Sequence, residues 1–258
     1  GYPDRMVADD IHLEIDHGSR VAIVGDNGQG KTTFLRTICG SLEPKQGNLK
    51  WGYGCQIGVY AQHVYGTLPN QETVEHYLEY QAAPGTGRQT IKDVAGSFLF
   101  SGELAEKKIR VLSGGERARL VLAGLLLEQH NVLVLDEPGN HLDVETVEAL
   151  ADALQRYPGT VIFTSHDRHF MRRVATAVVE VRDGRVVSYP ASYDDYVYRV
   201  RKELEEGLRA EHAAYGQTPV AETASRLSGR EERDLQKQLR SLERKIARLD
   251  DEKKTLGK

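Results

Sequence analysis

The sequence predicts a layered α/β fold, because strand patterns and helix patterns alternate along most of its 258 residues. Three short apolar runs, at 21–24, 132–135 and 160–164, have the length and composition of buried strands. A glycine-rich turn follows the first run, and a helix is expected after it at about 31–39. This strand–loop–helix unit is the first element of the predicted fold.

Further strands are expected where apolar and polar residues alternate, or where turn residues bound a short apolar run. These strands are predicted at residues 11–15, 48–51, 56–60, 178–181 and 185–189. Asp183 and Gly184 separate the last two, and Asp-Gly is a favoured pair for the tight turn of a β-hairpin.

A helical and polar region is expected from Asn70 to Leu112. Asn70 is the predicted N-cap of its first helix, since Glu72 and Glu75 would place negative charge in the first turns. Residues 116–127 predict another helix, with a strongly apolar face.

The character of the sequence changes after Pro190, where a charged helix closes a first domain at 1–214. A linker is expected at 215–227, and a capping box then begins a helical segment at 228–258. Apolar residues recur in this segment at steps of four and three: Leu235, Leu239, Leu242, Ile246, Leu249 and Leu256. The spacing predicts one strand of a truncated coiled coil, which needs a returning helix or another chain as its partner.

Composition limits the possible partners and locations. With 40% hydrophobic residues, 28% charged residues and a net charge of −4, any contact with a polyanion requires a local basic patch. Cys39 and Cys55 have neither metal-ligand spacing nor a disulfide framework, which favours a reducing, cytoplasmic location. No apolar run approaches the roughly 20 residues of a membrane span, so direct membrane insertion is not expected. Because the chain opens at Gly1 without a start methionine, we expect it to be part of a longer protein.

Residues 25–32 match the phosphate-binding motif G-x-x-x-x-G-K-[ST] in full. Such a loop turns backbone N–H groups toward a phosphate, and the helix that follows directs its positive end at the same anion. Lys31 would contact the β- and γ-phosphate oxygens, and Thr32 would bind Mg²⁺. The residues expected to bind ATP here are Gly25, Asn27, Gly28, Gly30, Lys31, Thr32 and Thr33. A glycine-rich turn without a ligand is the alternative, although the flanking strand and helix favour the phosphate loop.

Two further motifs carry candidate chemistry. The strand at 132–135 ends in Asp136, which would hold Mg²⁺ through its water shell, and in Glu137, which would act as general base on a water molecule. The alternative is a pair of solvated acids at a strand end. Ser113, Gly114 and Gly115 begin a helix and could form an anion-binding nest, or an ordinary capped helix start.

The chain resembles the ATP-binding cassette superfamily over about residues 1–190. The resemblance is carried, in chain order, by the phosphate loop, Gln62, the 112–116 segment, the Asp-Glu pair and His166. The resemblance implies a RecA-like P-loop core with an antiparallel β subdomain and an inserted helical subdomain at about residues 70–128, followed here by the coiled-coil helix. It also implies a second cassette as partner, because the phosphate loop of one cassette and the Ser-Gly-Gly signature of the other enclose one ATP.

The same resemblance assigns three more residues. Gln62 would contact Mg²⁺ and the attacking water, His166 would contact the γ-phosphate, and Tyr2 would stack on adenine. Considered alone, each has a simpler interpretation: a polar surface residue, a loop histidine and a frayed terminus.

A finer resemblance is to the F subfamily, the translation-associated cassettes. Residues 137–143, Glu-Pro-Gly-Asn-His-Leu-Asp, are similar to its E-P-x-N-H-L-D, although Gly139 replaces the usual Thr. Residues 165–170 are similar to its S-H-D-R-x-F. The tyrosine-rich stretch at 189–198 and the basic segment at 226–252 resemble the second cassette and the Uup-type C-terminal extension.

These resemblances imply an ATPase that acts with ribosome and tRNA in translation, with nucleic acid as an expected partner of the C-terminal helix. That helix also has interleaved acidic residues, and a solvated coiled-coil face is the alternative. A transporter's nucleotide-binding subunit and an ATP-gated module that binds nucleic acid are the alternative functions.

Overall fold

The computed structural model describes residues 7–61, 68–140 and 142–216. The chain divides into two compact units, Gly1–Glu203 and Leu204–Lys258. The predicted coiled coil at 228–258 and nearly all of the predicted linker lie outside the described residues.

Six strands form one sheet in the order β2-β3-β4-β1-β5-β6. They are β1 (Arg20–Val24), β2 (Ile57–Tyr60), β3 (Val132–Leu135), β4 (Thr160–Thr164), β5 (Ala177–Arg182) and β6 (Arg185–Tyr189). The first five strands in this order are parallel, and β6 pairs antiparallel with β5. The carboxyl ends of β2, β3, β4, β1 and β5 therefore share one edge of the sheet.

Helices cover the sheet and form the region inserted between β2 and β3. They are α1 (Lys31–Ile38), α2 (Val74–Gln81), α3 (Arg88–Ser97), α4 (Glu103–Glu106), α5 (Gly114–Leu127), α6 (Val144–Arg156), α7 (Arg168–Val174) and α8 (Tyr193–Gly216). In the part of the chain that the structure describes, none of them has the length and apolar character needed to cross a membrane.

The pleat of the strands divides the core between the two faces of the sheet. Leu133 and Phe163 belong to one buried cluster, together with side chains of α5, α6 and α7. A second buried cluster includes side chains of α1. It contains Val134, which follows Leu133 on β3, and Ile162, which precedes Phe163 on β4. Both faces are thus buried, which explains why β3 and β4 are continuous apolar runs in the sequence.

Two predicted strands, at 11–15 and 48–51, have no regular secondary structure. Leu13, Ile15 and Trp51 do pack against the second cluster, whereas Ile11 is exposed. At 11–15 the alternation therefore records partial burial of one side without ladder pairing, whereas at 48–51 Leu49 is exposed and the pattern does not hold. Among the six strands, β5 and β6 form the antiparallel pair, and a single antiparallel bridge joins Thr73 to Lys108 outside them.

The first helix of the inserted region also begins later than predicted. Its N-cap is Thr73, whose side chain accepts a hydrogen bond from the His76 amide, so Asn70 is not the cap. Asn70 instead accepts a backbone hydrogen bond from Arg110.

A tyrosine cluster fixes the start of α8 against the hairpin. The Tyr189 hydroxyl donates to the half-buried Glu180 carboxylate at 3.2 Å, and the Tyr189 and Tyr196 rings meet edge to face at 5.1 Å. Burial, followed by the negative charge and hydrogen bond of Glu180, raises the pKa of Tyr196.

Replacing Tyr189 with Phe should lower the free energy of unfolding by about 1 kcal/mol, because the Glu180 carboxylate loses the hydroxyl that donates to it at 3.2 Å. Urea denaturation of the chain measures this change. Tyr198→Phe is the matched control, since that side chain is 70% exposed. Equal losses of stability in the two variants would contradict the role of the Tyr189 hydroxyl.

Candidate functional site

The candidate site lies where three neighbouring parallel strands end. In the ladders, Leu135 of β3 pairs with Phe163 of β4, and Thr164 of β4 pairs with Ile23 of β1. Beyond these pairs, β3 continues into Asp136, β4 into the segment that holds His166, and β1 into Gly25. The topology thus brings the predicted phosphate loop, acidic pair and histidine to one edge, the usual place for a ligand in an open parallel sheet.

The phosphate loop leaves β1 and enters α1 at Lys31. Gly25, Gly28 and Gly30 all have positive φ, at 148°, 81° and 102°. The Lys31 amino group donates to the carbonyl oxygens of Gly25 at 2.7 Å and of Asp26 at 3.1 Å. Its charge therefore lies beside the loop, at the amino end of a helix that already favours an anion.

Two of these glycines could not be replaced by a larger residue. A Cβ atom on Gly25 would lie 2.2 Å from the Val181 carbonyl oxygen, and one on Gly30 would lie 2.0 Å from a Val7 methyl group. The positive φ angles add backbone strain for any residue with a side chain. The packing of the loop against its neighbours thus requires the glycines that the motif contains.

Of the other predicted contacts in this loop, Asn27 and Thr32 are exposed, and Thr33 is half-buried in the first turn of α1. Exposed hydroxyl and amide groups at this point remain available to a ligand. The Thr33 carbonyl accepts a hydrogen bond from the Thr37 hydroxyl, which lies one turn further along the helix.

The acidic pair is held by a buried threonine at the end of β4. The Thr164 hydroxyl donates to Asp136 Oδ1 at 2.7 Å and accepts the Glu137 backbone N–H at 2.9 Å. Thr164 is 1% exposed, and the Asp136 amide donates to the Tyr60 carbonyl at 2.8 Å. Both acids are therefore positioned by neighbouring strands as well as by β3.

Glu137 has the environment expected of a general base. Its side chain is 11% exposed, and it lies 3.3 Å from His166 Nε2 and accepts the His166 amide at 3.1 Å. Burial raises the pKa of its carboxyl, whereas the His166 charge and amide and, more weakly, Lys31 lower it. The influence of Lys31 places the loop and the base in one electrostatic environment.

The backbone of Glu137 is also unusual, with φ of 52°. A non-glycine residue in this left-handed region costs of order 1 kcal/mol and is held there by its surroundings. Here the Thr164 hydroxyl and the Asn140 amide bind the two backbone polar groups of Glu137. The strain turns the chain sharply just after β3.

The Ser-Gly-Gly signature begins α5, two residues earlier than the helix predicted at 116–127. Ser113 is its N-cap, and Ser113 and Glu116 form a complete capping box. The backbone hydrogen bond from Ser113 lowers the pKa of the Glu116 carboxyl. Both interpretations of the sequence are therefore compatible with the structure: the helix start is well capped, and its glycine amides lie at a helix amino end.

The signature helix is joined to the segment after the base by an ion pair. Arg119 Nη1 donates to Asp143 Oδ2 at 3.0 Å, while Asp143 Oδ1 caps α6 by accepting the Thr146 amide at 2.8 Å. The Arg119 guanidinium also lies over the Phe100 ring at 5.7 Å.

Two predicted site residues, Tyr2 and Gln62, lie outside the described residues. Three residues with a part in the site's geometry were not predicted: Thr164, Arg119 and Gln29, the last of which accepts the Asp183 amide at 3.1 Å. For Thr164, the signal available in the sequence is a polar residue at the end of an otherwise apolar strand.

The family model described as "ABC transporter" matches residues 8–140. The chain belongs to the ATP-binding cassette family. The match spans β1 to the acidic pair, and so includes the phosphate loop and the signature helix.

Its relatives place this cassette in the F subfamily. It is 37% identical over 197 residues to the probable ATP-binding protein YbiT of Escherichia coli O157:H7, and 40% identical over 197 residues to the putative ATP-binding protein YdiF of Bacillus subtilis. Both alignments cover 76% of this chain. ABC transporter F family member 2 of Arabidopsis thaliana is 35% identical over 81% of the chain. The cassette spans about a third of these relatives, 37% of YbiT and 30% of the other two.

Solved structures share the fold. An ATP-binding subunit of an ABC transporter superposes with a TM-score of 0.64 at 22% identity, covering 78% of this chain and 89% of that one. RNase-L inhibitor superposes with a TM-score of 0.60 at 24% identity, covering 72% and 37%. The archaeal ribosome recycling factor aABCE1, in a complex with the ribosomal stalk protein aP1, gives 0.59 at 23% identity, covering 85% and 43%. The cassette is therefore an α/β P-loop core.

Proposed function

We propose that this cassette binds Mg-ATP and hydrolyses it to ADP and phosphate. The observation that carries the proposal is the meeting of the Lys31 loop, Glu137 and His166 at the ends of three adjacent parallel strands. Phosphoryl transfer depends mainly on positioning and charge stabilisation, and this edge supplies a cation, a base and oriented backbone amides.

The residues at this edge fit the triphosphate and its metal ion. The positive φ angles of Gly25, Gly28 and Gly30 allow the backbone to curve around a phosphate, and Lys31 adds the charge that phosphate requires. Thr32 and Asp136 supply a hydroxyl and a carboxylate, the oxygen ligands that Mg²⁺ prefers, and Gln62 would add an amide oxygen. The bound Mg²⁺ would neutralise charge on the phosphates.

The remaining groups have the following proposed roles. Glu137 is the general base that takes a proton from the attacking water, and Thr164 holds its backbone in place. His166, next to Glu137 and 61% exposed, is placed to contact the γ-phosphate. The adenine would stack on Tyr2.

We propose that the site is completed by a second cassette. In this arrangement Ser113, Gly114 and Gly115 contact the ATP bound to the partner's phosphate loop, with the amino end of α5 directed at the anion. ATP would then hold the two cassettes together, and hydrolysis would release them, which couples nucleotide state to assembly.

At the level of the cell, we propose that this chain is the second cassette of an F-subfamily ATPase that acts on the ribosome, with tRNA nearby, in the cytoplasm. Its relation to F-type proteins supports this proposal. The C-terminal segment, with its basic residues, would contact nucleic acid.

Sedimentation with ribosomes tests the ribosomal role. The Glu137→Gln variant should pellet with ribosomes when ATP is present and stay in the supernatant without it. Recovery with membranes instead would favour a transporter's nucleotide-binding subunit, and ATP-dependent retention on naked nucleic acid alone would favour a nucleic-acid module.

Replacing Thr164 with Val should lower ATP turnover by about tenfold or more, since small displacements of catalytic groups are costly. The reason is that Asp136 loses a donor and the Glu137 amide loses its acceptor. Steady-state phosphate release measures the effect. Thr160→Val is the matched control, because Thr160 is also buried in β4, at 5% exposed, but binds the Gly18 amide at the opposite end of the strand. Equal turnover in both variants would contradict the role of Thr164.

The pH profile of kcat/KM should reflect the raised pKa of Glu137. A general base acts when ionised, so turnover should fall as pH decreases through a pKa above the ordinary glutamate value of about 4.3. His166→Ala should move this acid limb to higher pH in the residual activity, because it removes the imidazole charge that lowers the Glu137 pKa and keeps the backbone amide that binds Glu137. The ionisation of ATP itself affects the unmodified chain and His166→Ala equally, so it cannot produce a difference between them. An acid limb at the same pH in both proteins would therefore contradict the prediction.

A further inference from the structure

The phosphate loop is supported from outside by the turn of the β5–β6 hairpin. Arg182 and Arg185 form the last ladder pair, so Asp183 and Gly184 are the two residues of a tight turn, with φ of 49° and 76°. The Asp183 amide does not continue the ladder. It donates instead to Gln29 Oε1 at 3.1 Å.

The same end of β5 also contacts the start of the loop. The carbonyl oxygen of Val181 lies so close to Gly25 that an added Cβ would be only 2.2 Å away. The hairpin thus contacts the loop at two points: Val181 lies against Gly25, and the Asp183 amide binds Gln29. From its other side the turn is held by the Asp9 amide, which donates to the Gly184 carbonyl at 2.9 Å.

Gln29 lies between two glycines of the loop. Gly28 and Gly30 both have positive φ, and glycine can adopt many other backbone conformations. The phosphate-binding motif allows any residue at position 29. The side-chain contact of Gln29 adds to the hydrogen bond that its own amide donates to the Asp26 carbonyl at 3.3 Å, so the loop is held at this point by two contacts.

The contact also differs from those made by Lys31. The Lys31 amino group binds the carbonyls of Gly25 and Asp26, and it would leave them to contact phosphate. The Gln29 side chain is directed away from the loop toward the hairpin, so phosphate does not compete for it.

We infer that Gln29 is a positioning residue, which holds the phosphate loop in its ATP-binding shape through the amide of Asp183. This inference rests on the proposed function, since it concerns the same loop. Gln29 contacts no reacting group. Its contribution is to reduce the conformational freedom that the loop loses when it closes around a phosphate.

Equilibrium binding of an imido analogue of ATP with Mg²⁺, measured by calorimetry on the whole chain, tests the inference. Gln29→Met keeps the length of the side chain and removes the acceptor. It should weaken binding about three- to tenfold, the range expected for one net hydrogen bond. KM for ATP should rise by a similar factor while kcat stays within about twofold. Gln46→Met, in the exposed loop after α1, is the matched control and should bind as the unmodified chain does.

A second variant acts on the donor side. Gly184→Ala strains the turn, because Ala rarely adopts a φ of 76°, and it should displace the Asp183 amide. If both changes remove the same contact, their effects on affinity should not add. The double variant should then bind the analogue at most about twofold more weakly than whichever single variant has the lower affinity.

Additive losses, or unchanged affinity in Gln29→Met, would overturn the inference. A lower melting temperature without a change in affinity would also overturn it, because that result indicates a purely structural contact. If the unmodified chain itself fails to bind the analogue, the proposed ATP site fails, a result distinct from these.

Discussion

Glu137→Gln should abolish steady-state ATP turnover, with a loss of about 10²–10⁴-fold, while leaving ATP binding intact. The amide that replaces the carboxylate has nearly the same shape and can still accept the His166 amide hydrogen bond. It cannot take a proton from water at neutral pH. The cassette should therefore accumulate in its ATP-bound, paired state.

Two measurements test this expectation together. Phosphate release should fall, and ATP-dependent association, followed by analytical ultracentrifugation, should become stable over the time that the unmodified chain needs to hydrolyse its ATP. Glu145→Gln, on the exposed surface of α6 a few residues further on, is the matched control. Unchanged hydrolysis by Glu137→Gln would remove Glu137 from the role of base.

The loss should also exceed that of Thr164→Val. Thr164 acts on Asp136 and on the Glu137 backbone through two hydrogen bonds, whereas Glu137 itself exchanges the proton. A larger effect from Thr164→Val would mean that the geometry of this edge, rather than the basicity of Glu137, limits the rate.

Three strands were located correctly from the sequence. The predicted runs at 132–135, 160–164 and 185–189 coincide with β3, β4 and β6. For β3 and β4, both faces exclude water, so an uninterrupted apolar run is enough to mark the strand. The start of β6 could be predicted because the Asp183-Gly184 turn directly precedes it.

The two incorrect strands show the limit of that method. At 11–15 the alternation reports that Leu13 and Ile15 pack on the core, whereas around Trp51 the core contact is that of Trp51 and Leu49 is exposed. Whether a partner strand is present to form a ladder depends on residues far away in the sequence, and periodicity contains no information about them. The same applies to Asn70 and Thr73, since both residue types can cap a helix and only the fold decides that α2 begins after Thr73.

The site was predictable wherever a motif fixes both residue type and spacing. Lys31, Asp136, Glu137 and His166 lie at one edge as the motifs require. Thr164 was not predicted because a polar residue at a strand end is a weak signal, and its contacts with Asp136 and Glu137 depend on the register between β3 and β4. A residue at a variable motif position, such as Gln29, carries no signal at all until its neighbour across the fold is known.

Lys31→Ala should reduce ATP affinity so far that binding is undetectable at millimolar nucleotide. In the structure, the Lys31 amino group is the cation beside the loop, within hydrogen-bond distance of two of its carbonyls. A charge-assisted hydrogen bond contributes roughly 1.5–3 kcal/mol. Without the lysine charge, the negative charges of Asp136 and Glu137 would also repel the triphosphate. Together these effects predict a loss of more than 100-fold, which calorimetry with Mg-ATP measures.

Because Lys31 also contacts the carbonyls of Gly25 and Asp26, its removal could rearrange the loop rather than only remove a charge. Lys31→Gln separates these effects, since the amide can still donate to the carbonyls but carries no charge. If charge is the dominant contribution, Lys31→Gln should bind ATP almost as poorly as Lys31→Ala, whereas Lys92→Ala, exposed on α3, should bind normally. Tight binding by Lys31→Ala would mean that triphosphate does not occupy this loop, and the roles of Glu137, Thr164 and Gln29 would then all lose their common basis.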